Sequence, residues 1–228
     1  MTKIFQVGGS VRDKILGIDS KDIDFAVEAE SFAEMREMII ARGGKIFLET
    51  EKFLTIRANV PQLGSADFVL CRRDGAYSDG RRPESVVIGD IFDDLARRDF
   101  TMNAIAIDIE TGAILDPHDG RKDIEDFKIR CVGSASNRFH EDKLRMFRAV
   151  RFAVTKNFRL DHEINNAIGA FTPKQFDGVS TERIRDELLK MFAVNTKRSF
   201  RLLTNDFPVL WDVVEQREIW LKPTTEHK

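Results

Sequence analysis

The sequence GGSVRDKILGIDSKDIDF, residues 8–25, decides how the first half of the chain folds. It begins as a glycine turn that opens a helix, with Ser10 placed to cap that helix. Backbone N–H groups at such a turn, reinforced by the helix dipole, bind phosphate well, and Arg12 adds a forked donor. The stretch therefore predicts an anion site made by Gly8, Gly9, Ser10 and Arg12.

The same stretch ends in two carboxylates that are two residues apart. Asp22 and Asp24 lie in an apolar run typical of a β-strand, where alternate side chains share a face, so the two groups are expected roughly 7 Å apart. Like charges on one face repel each other, which favours a divalent cation between them. An anion site beside a metal site outlines a nucleotidyl-transfer centre. A solvated aspartate pair after an ordinary glycine turn is the alternative that each motif leaves open by itself.

Length and composition indicate an ordinary globular protein. The 228 residues are 42% hydrophobic and 32% charged, enough for one large domain or two small ones. No apolar run approaches the roughly 20 residues of a membrane helix, and residues 1–15 lack a signal-peptide core, so we expect a cytoplasmic protein without a membrane partner. Cys71 and Cys131 stand far apart and the four histidines form no ligand pair, so any bound metal is expected to have oxygen ligands.

Charge is distributed unevenly along the chain. The net charge is −2, yet residues 140–202 contain 13 Lys or Arg against 8 Asp or Glu. This excess permits a basic surface that faces RNA. A solvated helical surface without a partner is the alternative.

The first half of the chain has the pattern of a small mixed α/β sheet domain. A capping box at Ser31 opens a helix that stops at Gly43, and strand-like runs follow at residues 45–49, 53–59 and 65–70. One helix among several short strands predicts a mixed sheet with a helix packed on it.

The third of these runs contains a charge, Asp67. If its strand lies beside the first carboxylate strand, Asp67 completes a triad with Asp22 and Asp24. A water-facing residue on an edge strand is the alternative.

Residues 71–98 are predicted to form a long polar loop. Arg98, Asp99 and Asn103 follow it and suit a nucleotide pocket, because Arg binds phosphates and Asp or Asn binds sugar hydroxyls. Residues 116–124 are predicted to be a turn that leads out of the sheet domain.

From about residue 137 the pattern becomes helical, which places a domain boundary near residues 125–138. A helix is predicted over residues 140–154, with Asp142 and Arg145 on its polar face. These two side chains either present a fixed donor and acceptor to a base edge or belong to a salt-bridged surface.

Later helices are predicted with caps at Asp161, Ser180 and Thr196, the last with Phe200 facing inward. Residues 223–228 have the composition of a disordered terminus.

Five motifs occur in order over residues 8–188: GGSVRD with DID, RRDFTMNA, DPHDGRKDI, EDKLR and ERIRDEL. Together they closely resemble the motifs of class II CCA-adding tRNA nucleotidyltransferases, a group that includes bacterial poly(A) polymerases. The resemblance implies an α+β fold, with a polymerase-β-like nucleotidyltransferase head or palm over residues 1–138. It also implies an all-helical neck with the nucleotide-selecting helix over residues 139–222, and a tail over 223–228. Members usually continue into further helical domains, so the resemblance implies a short form that ends after the neck, either natural or cut from a longer protein.

The resemblance also implies roles for individual residues. Asp22 and Asp24 would hold two Mg²⁺ ions, and Asp67 would be the third catalytic carboxylate. Residues 74–83 match a flexible loop associated with adding the terminal A. Nucleotide contacts are implied for Gly9, Arg12, Arg98, Asp99, Asn103, Asp142, Arg145, Arg148 and Arg151. Of these, Asp142 and Arg145 would select CTP or ATP by pairing with the base edge.

The expected function is therefore template-independent addition of C, C and then A to the 3′ end of tRNA. CTP and ATP would be the substrates, and pyrophosphate would leave by two-metal catalysis. A poly(A) polymerase or A-adding enzyme with the same head is the alternative. A non-catalytic RNA-binding remnant is a third reading, and the intact Asp22, Asp24, Arg12 and Arg145 argue against it.

Overall fold

The structure is a computed structural model that describes residues 2–20, 22–75, 85–219 and 221. Lys21, the predicted loop from residue 76 to 83, and the predicted tail at 223–228 lie outside the described residues. The strands are β1 (Lys3–Val7), β2 (Asp24–Glu28), β3 (Lys45–Thr50), β4 (Thr55–Val60), β5 (Gly64–Leu70), β6 (Arg72–Asp74), β7 (Val86–Ile88), β8 (Ala106–Asp108), β9 (Ile114–Leu115), β10 (Lys128–Ile129) and β11 (Arg159–Leu160).

The α-helices alternate with these strands at first and then follow one another. They are α1 (Gly9–Ile15), α2 (Phe32–Ala41), α3 (Ile91–Ala96), α4 (Gly120–Glu125), α5 (Ala135–Glu141), α6 (Leu144–Thr155), α7 (His162–Gly169), α8 (Thr181–Val194), α9 (Thr196–Arg201) and α10 (Pro208–Gln216). Short 3₁₀ turns occupy Glu51–Phe53, Thr101–Asn103 and Pro173–Phe176, and a π turn occupies Leu202–Asp206. Among the described residues, no helix is long and apolar enough to span a lipid bilayer.

A seven-stranded sheet organises the first half of the chain, in the order β3-β4-β5-β2-β1-β8-β9. β2 and β5 pair in parallel, and the other neighbouring pairs are antiparallel. Alternate strand residues point into the core, where Phe25 stacks on Phe68 with ring centroids 5.1 Å apart. The mixed α/β sheet expected from the sequence is confirmed.

Helix α2 closes this core. The Ser31 hydroxyl accepts a hydrogen bond from the Glu34 backbone N–H at 3.1 Å, and Met35 and Ile39 are fully buried against the sheet. The predicted helix start is confirmed, and Gly43 follows its end with a φ of +75°.

Two predicted connections contain more structure than expected. Residues 71–98 are not a continuous loop, since β6 pairs with β7 and α3 follows. Asp90 and Asp93 form a reciprocal capping box at the start of α3, so these two polar residues belong to a helix N-terminus and not to a loop. The turn predicted over residues 116–124 contains α4.

The described residues form two compact units, which divide between residues 126 and 127. The second unit contains helices α5 to α10 and the short parallel pair β10-β11. The helical character expected for this half is therefore found, and the predicted domain extents of 1–138 and 139–222 stay a prediction.

Three details of the helical half differ from the sequence prediction. The α9 cap is Asn195, whose side chain accepts from the Arg198 N–H at 2.9 Å, and not Thr196. Ser180 occupies the cap position of α8 without a side-chain hydrogen bond. Phe200 is half exposed and packs edge-on against Trp211 instead of entering the core.

Candidate functional site

Gly8 links β1 to α1 in a backbone conformation that side chains rarely adopt. Its φ of +75° and ψ of −139° belong to a region that is essentially reserved for glycine. A Cβ atom at Gly8 would lie 3.1 Å from Nη1 of Arg98 and 3.7 Å from Oδ2 of Asp24. The missing side chain therefore lets the backbone approach both a cation and an anion.

The first turn of α1 follows directly and brings a correction. Gly8 is the N-cap, and the buried Ser10 hydroxyl donates to the Val7 carbonyl at 3.1 Å. The prediction that Ser10 caps α1 is wrong, because the helix begins at Gly9 and Ser10 already belongs to it. A Cβ at Gly9 would lie 3.4 Å from Nη2 of Arg12, so this glycine also packs closely on a predicted phosphate ligand.

The three predicted carboxylates meet at one cavity. Asp24 and Asp67 are direct partners in the parallel pairing of β2 with β5. Asp22 lies just before β2, so the expectation that both aspartates of the pair belong to one strand is wrong. A cavity of about 310 Å³ is nevertheless lined by Asp22, Asp24 and Asp67, with Arg57 at its side.

The electrostatics of Asp24 reflect this convergence. The pKa of Asp24 is raised, first because surrounding protein displaces water from its carboxyl group and then because the charges of Asp67 and Asp22 lie close. Arg98 and Arg57 act in the opposite direction. Arg57 also pairs with Asp67, with Nε and Oδ1 3.4 Å apart. The cavity thus concentrates negative charge that its own cations do not fully offset.

A buried carboxylate fixes the arginine beside Gly8. Asp94 is fully buried and accepts from Nε and Nη2 of Arg98 at 3.1 and 2.8 Å, and it also binds Arg97. Burial alone would raise the pKa of Asp94, but Arg98 and Arg97 outweigh it and hold that pKa below its ordinary value. Sequence reasoning missed Asp94, although its spacing from the apolar Ile91 and Leu95 places it on the inward face of α3.

A series of side-chain hydrogen bonds fixes Arg12. Nη1 of Arg12 donates to Oδ1 of Asn103 at 2.7 Å, and Nδ2 of Asn103 donates to Oδ1 of Asp99 at 3.1 Å. Arg12 also pairs with Asp13 at 2.9 Å. Nη1 of Arg98 also donates to the Asn103 carbonyl at 3.2 Å, so Arg12, Arg98, Asp99 and Asn103 belong to one hydrogen-bonded network beside the glycine turn.

In the second unit, the predicted helix over residues 140–154 is broken. Asp142 has an extended backbone, so α5 ends at Glu141 and α6 begins at Leu144. Oδ1 of Asp142 accepts from the Leu144 N–H at 3.0 Å, and Oδ2 accepts from Nη2 of Arg183 at 2.9 Å. Periodicity could not show the break, because the apolar spacing continues through it.

Arg145 is held across the break. Its Nη1 donates to Oε2 of Glu141 at 2.5 Å and to the Arg138 carbonyl at 3.1 Å. The pair with Glu141 is an i,i+4 salt bridge that fixes the arginine at the same helix junction that carries Asp142.

Arg148 and Arg151 converge on Glu187 of α8. Nε of Arg151 donates to the buried Glu187 carboxylate, and Nη1 of Arg148 lies 3.9 Å from it. The Arg151 guanidinium also stacks on the buried Phe152, 3.8 Å from the ring centroid. Sequence reasoning assigned no role to Glu187, although its position beside the inward Ile184 and Leu188 in α8 is the signal of a buried partner.

The donor chemistry of the cavity fits a hard divalent cation. Carboxylate oxygens are the ligands that Mg²⁺ prefers. Burial is the main cause of the raised pKa of Asp24, and the nearby charges of Asp67 and Asp22 add to it. Among the described residues, no group of three or more His, Cys, Asp or Glu side chains has its donor atoms gathered around one metal position. The assignment of Asp22 and Asp24 as metal ligands therefore stays a prediction, made for two side chains that line the same cavity.

Comparison with known proteins gives consistent matches. Residues 4–130 match the family described as the poly A polymerase head domain. Residues 157–206 match the family described as the probable RNA and SrmB-binding site of polymerase A.

The chain is also similar to individual proteins. It is 39% identical over 201 residues to a CCA-adding enzyme of Lactobacillus johnsonii, covering 86% of this chain and 48% of that protein. Among solved structures, it resembles the Bacillus stearothermophilus CCA-adding enzyme in complex with CTP (TM-score 0.76, 32% identity, 96% of this chain and 53% of that one). It also resembles a tRNA nucleotidyltransferase complexed with a primer tRNA and an incoming ATP analog (TM-score 0.73, 27% identity, 94% and 60%). The chain spans about half the length of the curated relatives it matches.

Proposed function

This chain belongs to the family of poly(A) polymerases and CCA-adding enzymes, and on that premise we propose that it adds C, C and then A to the 3′ end of tRNA. CTP and ATP are the substrates, and pyrophosphate is the product released at each step. The relatives' complexes with CTP, with a primer tRNA and with an ATP analog support these partners.

One observation carries the proposal. Three aspartates line a single cavity, and Gly8 of the glycine turn packs against one of them, Asp24. Gly8 also packs against Arg98, which the buried Asp94 holds in place. A reaction between a triphosphate and a hydroxyl needs a divalent-cation site next to a phosphate site, and this arrangement supports that pairing.

We assign Asp22 and Asp24 as the ligands of two Mg²⁺ ions. When bound, these ions lower the pKa of the primer 3′-hydroxyl and neutralise charge on the leaving pyrophosphate. Asp67, whose Oδ1 pairs with Arg57, orients the primer hydroxyl through its remaining acceptor sites.

The arginines serve the triphosphate. Arg98 is held by Asp94, so its guanidinium stays beside the glycine turn without losing further side-chain entropy on binding. Arg12 is held by Asn103 in the same way, and Asp99 with Asn103 meets the sugar hydroxyls.

Base selection is assigned to Asp142 and Arg145, with Arg148 and Arg151 close to the nucleotide. Each Asp142 oxygen already accepts one hydrogen bond, and a carboxylate oxygen can accept a second from a base edge. The contact with Arg183 keeps that acceptor in one orientation, which a protein template for CTP and ATP requires.

The test is incorporation into tRNA that lacks its CCA end, with Asp24→Ala as the inactive control. CTP alone should add two C residues, and CTP with ATP should add C, C and A. No extension of any kind would overturn the proposal.

Poly(A) synthesis is the second candidate, because the matched head family takes its description from poly A polymerase. It predicts a long A tract with ATP alone and no requirement for CTP. The same reactions therefore separate the two candidates.

A further inference from the structure

A cavity of about 520 Å³ in the second unit belongs to none of the residues assigned above. Its floor is apolar, and its rim carries hydrogen-bonding and charged groups. The floor is formed by Ala153, Phe158, Leu160, Leu202 and Phe207, and the rim by Arg159, Asn165, Arg198, Asn205 and Asp206.

The walls of this cavity are held in place by specific contacts. Arg198 donates to the Asn157 side chain and, at 3.4 Å, to the Phe158 carbonyl, so its guanidinium is fixed at the rim. The π turn Leu202–Asp206 supplies three lining residues. π turns are rare and occur often at functional sites, because the wider turn re-aims side chains that an α-helix would point elsewhere.

We propose that this cavity receives one unpaired base of the RNA primer. Its volume lies in the range of nucleotide-sized ligand sites, and an apolar floor beneath a rim of amides and guanidinium suits a flat ring with polar edges. Proteins that contact RNA bases specifically bind unstacked bases in this way. The inference rests on the proposed function, because it takes tRNA to be the primer.

The matched family and the charge of the segment bear on the choice between RNA and a protein partner. Eight of the ten lining residues fall in the segment 157–206, whose matched family description names both RNA and SrmB and is therefore consistent with RNA. Residues 140–202 also contain 13 Lys or Arg against 8 Asp or Glu, an excess that attracts a polyanion.

The experiment measures binding of a short single-stranded RNA that carries 2-aminopurine near its 3′ end. Entry of that base into the cavity removes it from its stacked neighbours and should increase its fluorescence. Asn205→Ala and Arg159→Ala each remove one rim group from an exposed position, and each should weaken binding by about three- to tenfold. An abasic nucleotide at the same position should remove the difference between these variants and the wild type.

Matched controls are available outside the cavity. Arg201→Ala removes an exposed positive charge from the same helical segment, and Asn166→Ala removes an exposed amide from α7. Arg201→Ala should weaken binding only by the small loss of general charge, Asn166→Ala should bind like the wild type, and both should lose less affinity than Arg159→Ala and Asn205→Ala. Equal weakening by Arg201→Ala and Arg159→Ala would reduce the effect to general charge and overturn the inference.

Other outcomes are equally decisive. Wild-type protein that binds no RNA, or that binds a protein through this cavity instead, overturns the inference. Incorporation of CMP into tRNA is measured in parallel and reports separately on the proposed function. If the wild type extends tRNA and both cavity variants keep its RNA affinity, only the inference about the cavity is contradicted.

Discussion

Replacing Gly8 by alanine tests whether the close approach of backbone to arginine supports nucleotide transfer. The substitution places a methyl group 3.1 Å from Nη1 of Arg98, at a φ of +75° that alanine tolerates poorly. Backbone strain of this kind costs about 1–3 kcal/mol, so the free energy of unfolding should fall by that amount. Arg98 must also move by a few tenths of an ångström, and misplacement of a phosphate ligand should lower kcat/KM for CTP by about tenfold or more.

Gly112→Ala is the matched control for this change. Gly112 has a φ of +72°, and a Cβ there has nothing within 4 Å. The Gly112→Ala protein should therefore lose about 1–2 kcal/mol of stability from backbone strain alone and keep the wild-type kcat/KM. Denaturant unfolding and steady-state CMP incorporation measure the two quantities. A folded Gly8→Ala protein with wild-type kcat/KM would refute the argument that the turn must approach Arg98.

Three further predictions concern acidic residues that pair with arginines. Glu187→Gln neutralises the partner of Arg151, so it should lower the free energy of unfolding by up to about 3–5 kcal/mol and raise KM for nucleotides. The exposed Glu163→Gln is its control, and an unchanged KM in Glu187→Gln would show that Glu187 is only structural. Asp142→Ala should weaken discrimination of CTP and ATP against UTP and GTP more than triphosphate binding, whereas Asp161→Ala, which removes a cap of similar kind from α7, should cost about 1 kcal/mol of stability and leave nucleotide preference unchanged. The pKa of Asp94 is held below its ordinary 3.8, so the stability that this carboxylate contributes is present above pH 3.8 and is lost as pH falls through the folded-state pKa. The free energy of unfolding of Asp94→Asn should therefore fall less steeply with acid than that of the wild type. An identical acid profile of the two proteins would contradict this.

The sequence predicted the parts of the fold that local pattern determines. The helix cap at Ser31, the strand runs and the buried face of α2 all follow from spacing and side-chain chemistry, and the structure bears them out. The reciprocal half of the predicted capping box is absent, because the Glu34 carboxylate accepts from the Glu30 N–H instead of the Ser31 N–H. The pairing of Asp24 with Asp67 was expected only as a possibility, since strand order depends on contacts between distant segments.

The parts that sequence could not give depend on tertiary partners. Asp94 and Glu187 are buried charges whose function is visible only once the arginines they hold are placed. Ser10 has the composition of a helix cap, yet its hydroxyl satisfies the Val7 carbonyl because Gly8 already makes the turn. The break at Asp142 likewise arises from a backbone conformation that Leu144 and Arg183 stabilise, and helical periodicity is blind to it.

The most direct test of the account is single-turnover CMP incorporation in Mg²⁺ by Asp22→Ala and Asp24→Ala, with the nearby exposed Asp19→Ala as control. Both carboxylate variants should remain folded and incorporate no detectable CMP, while Asp19→Ala should match the wild type. Appreciable turnover by either Asp22→Ala or Asp24→Ala would contradict the claim that these aspartates form the centre of nucleotide transfer.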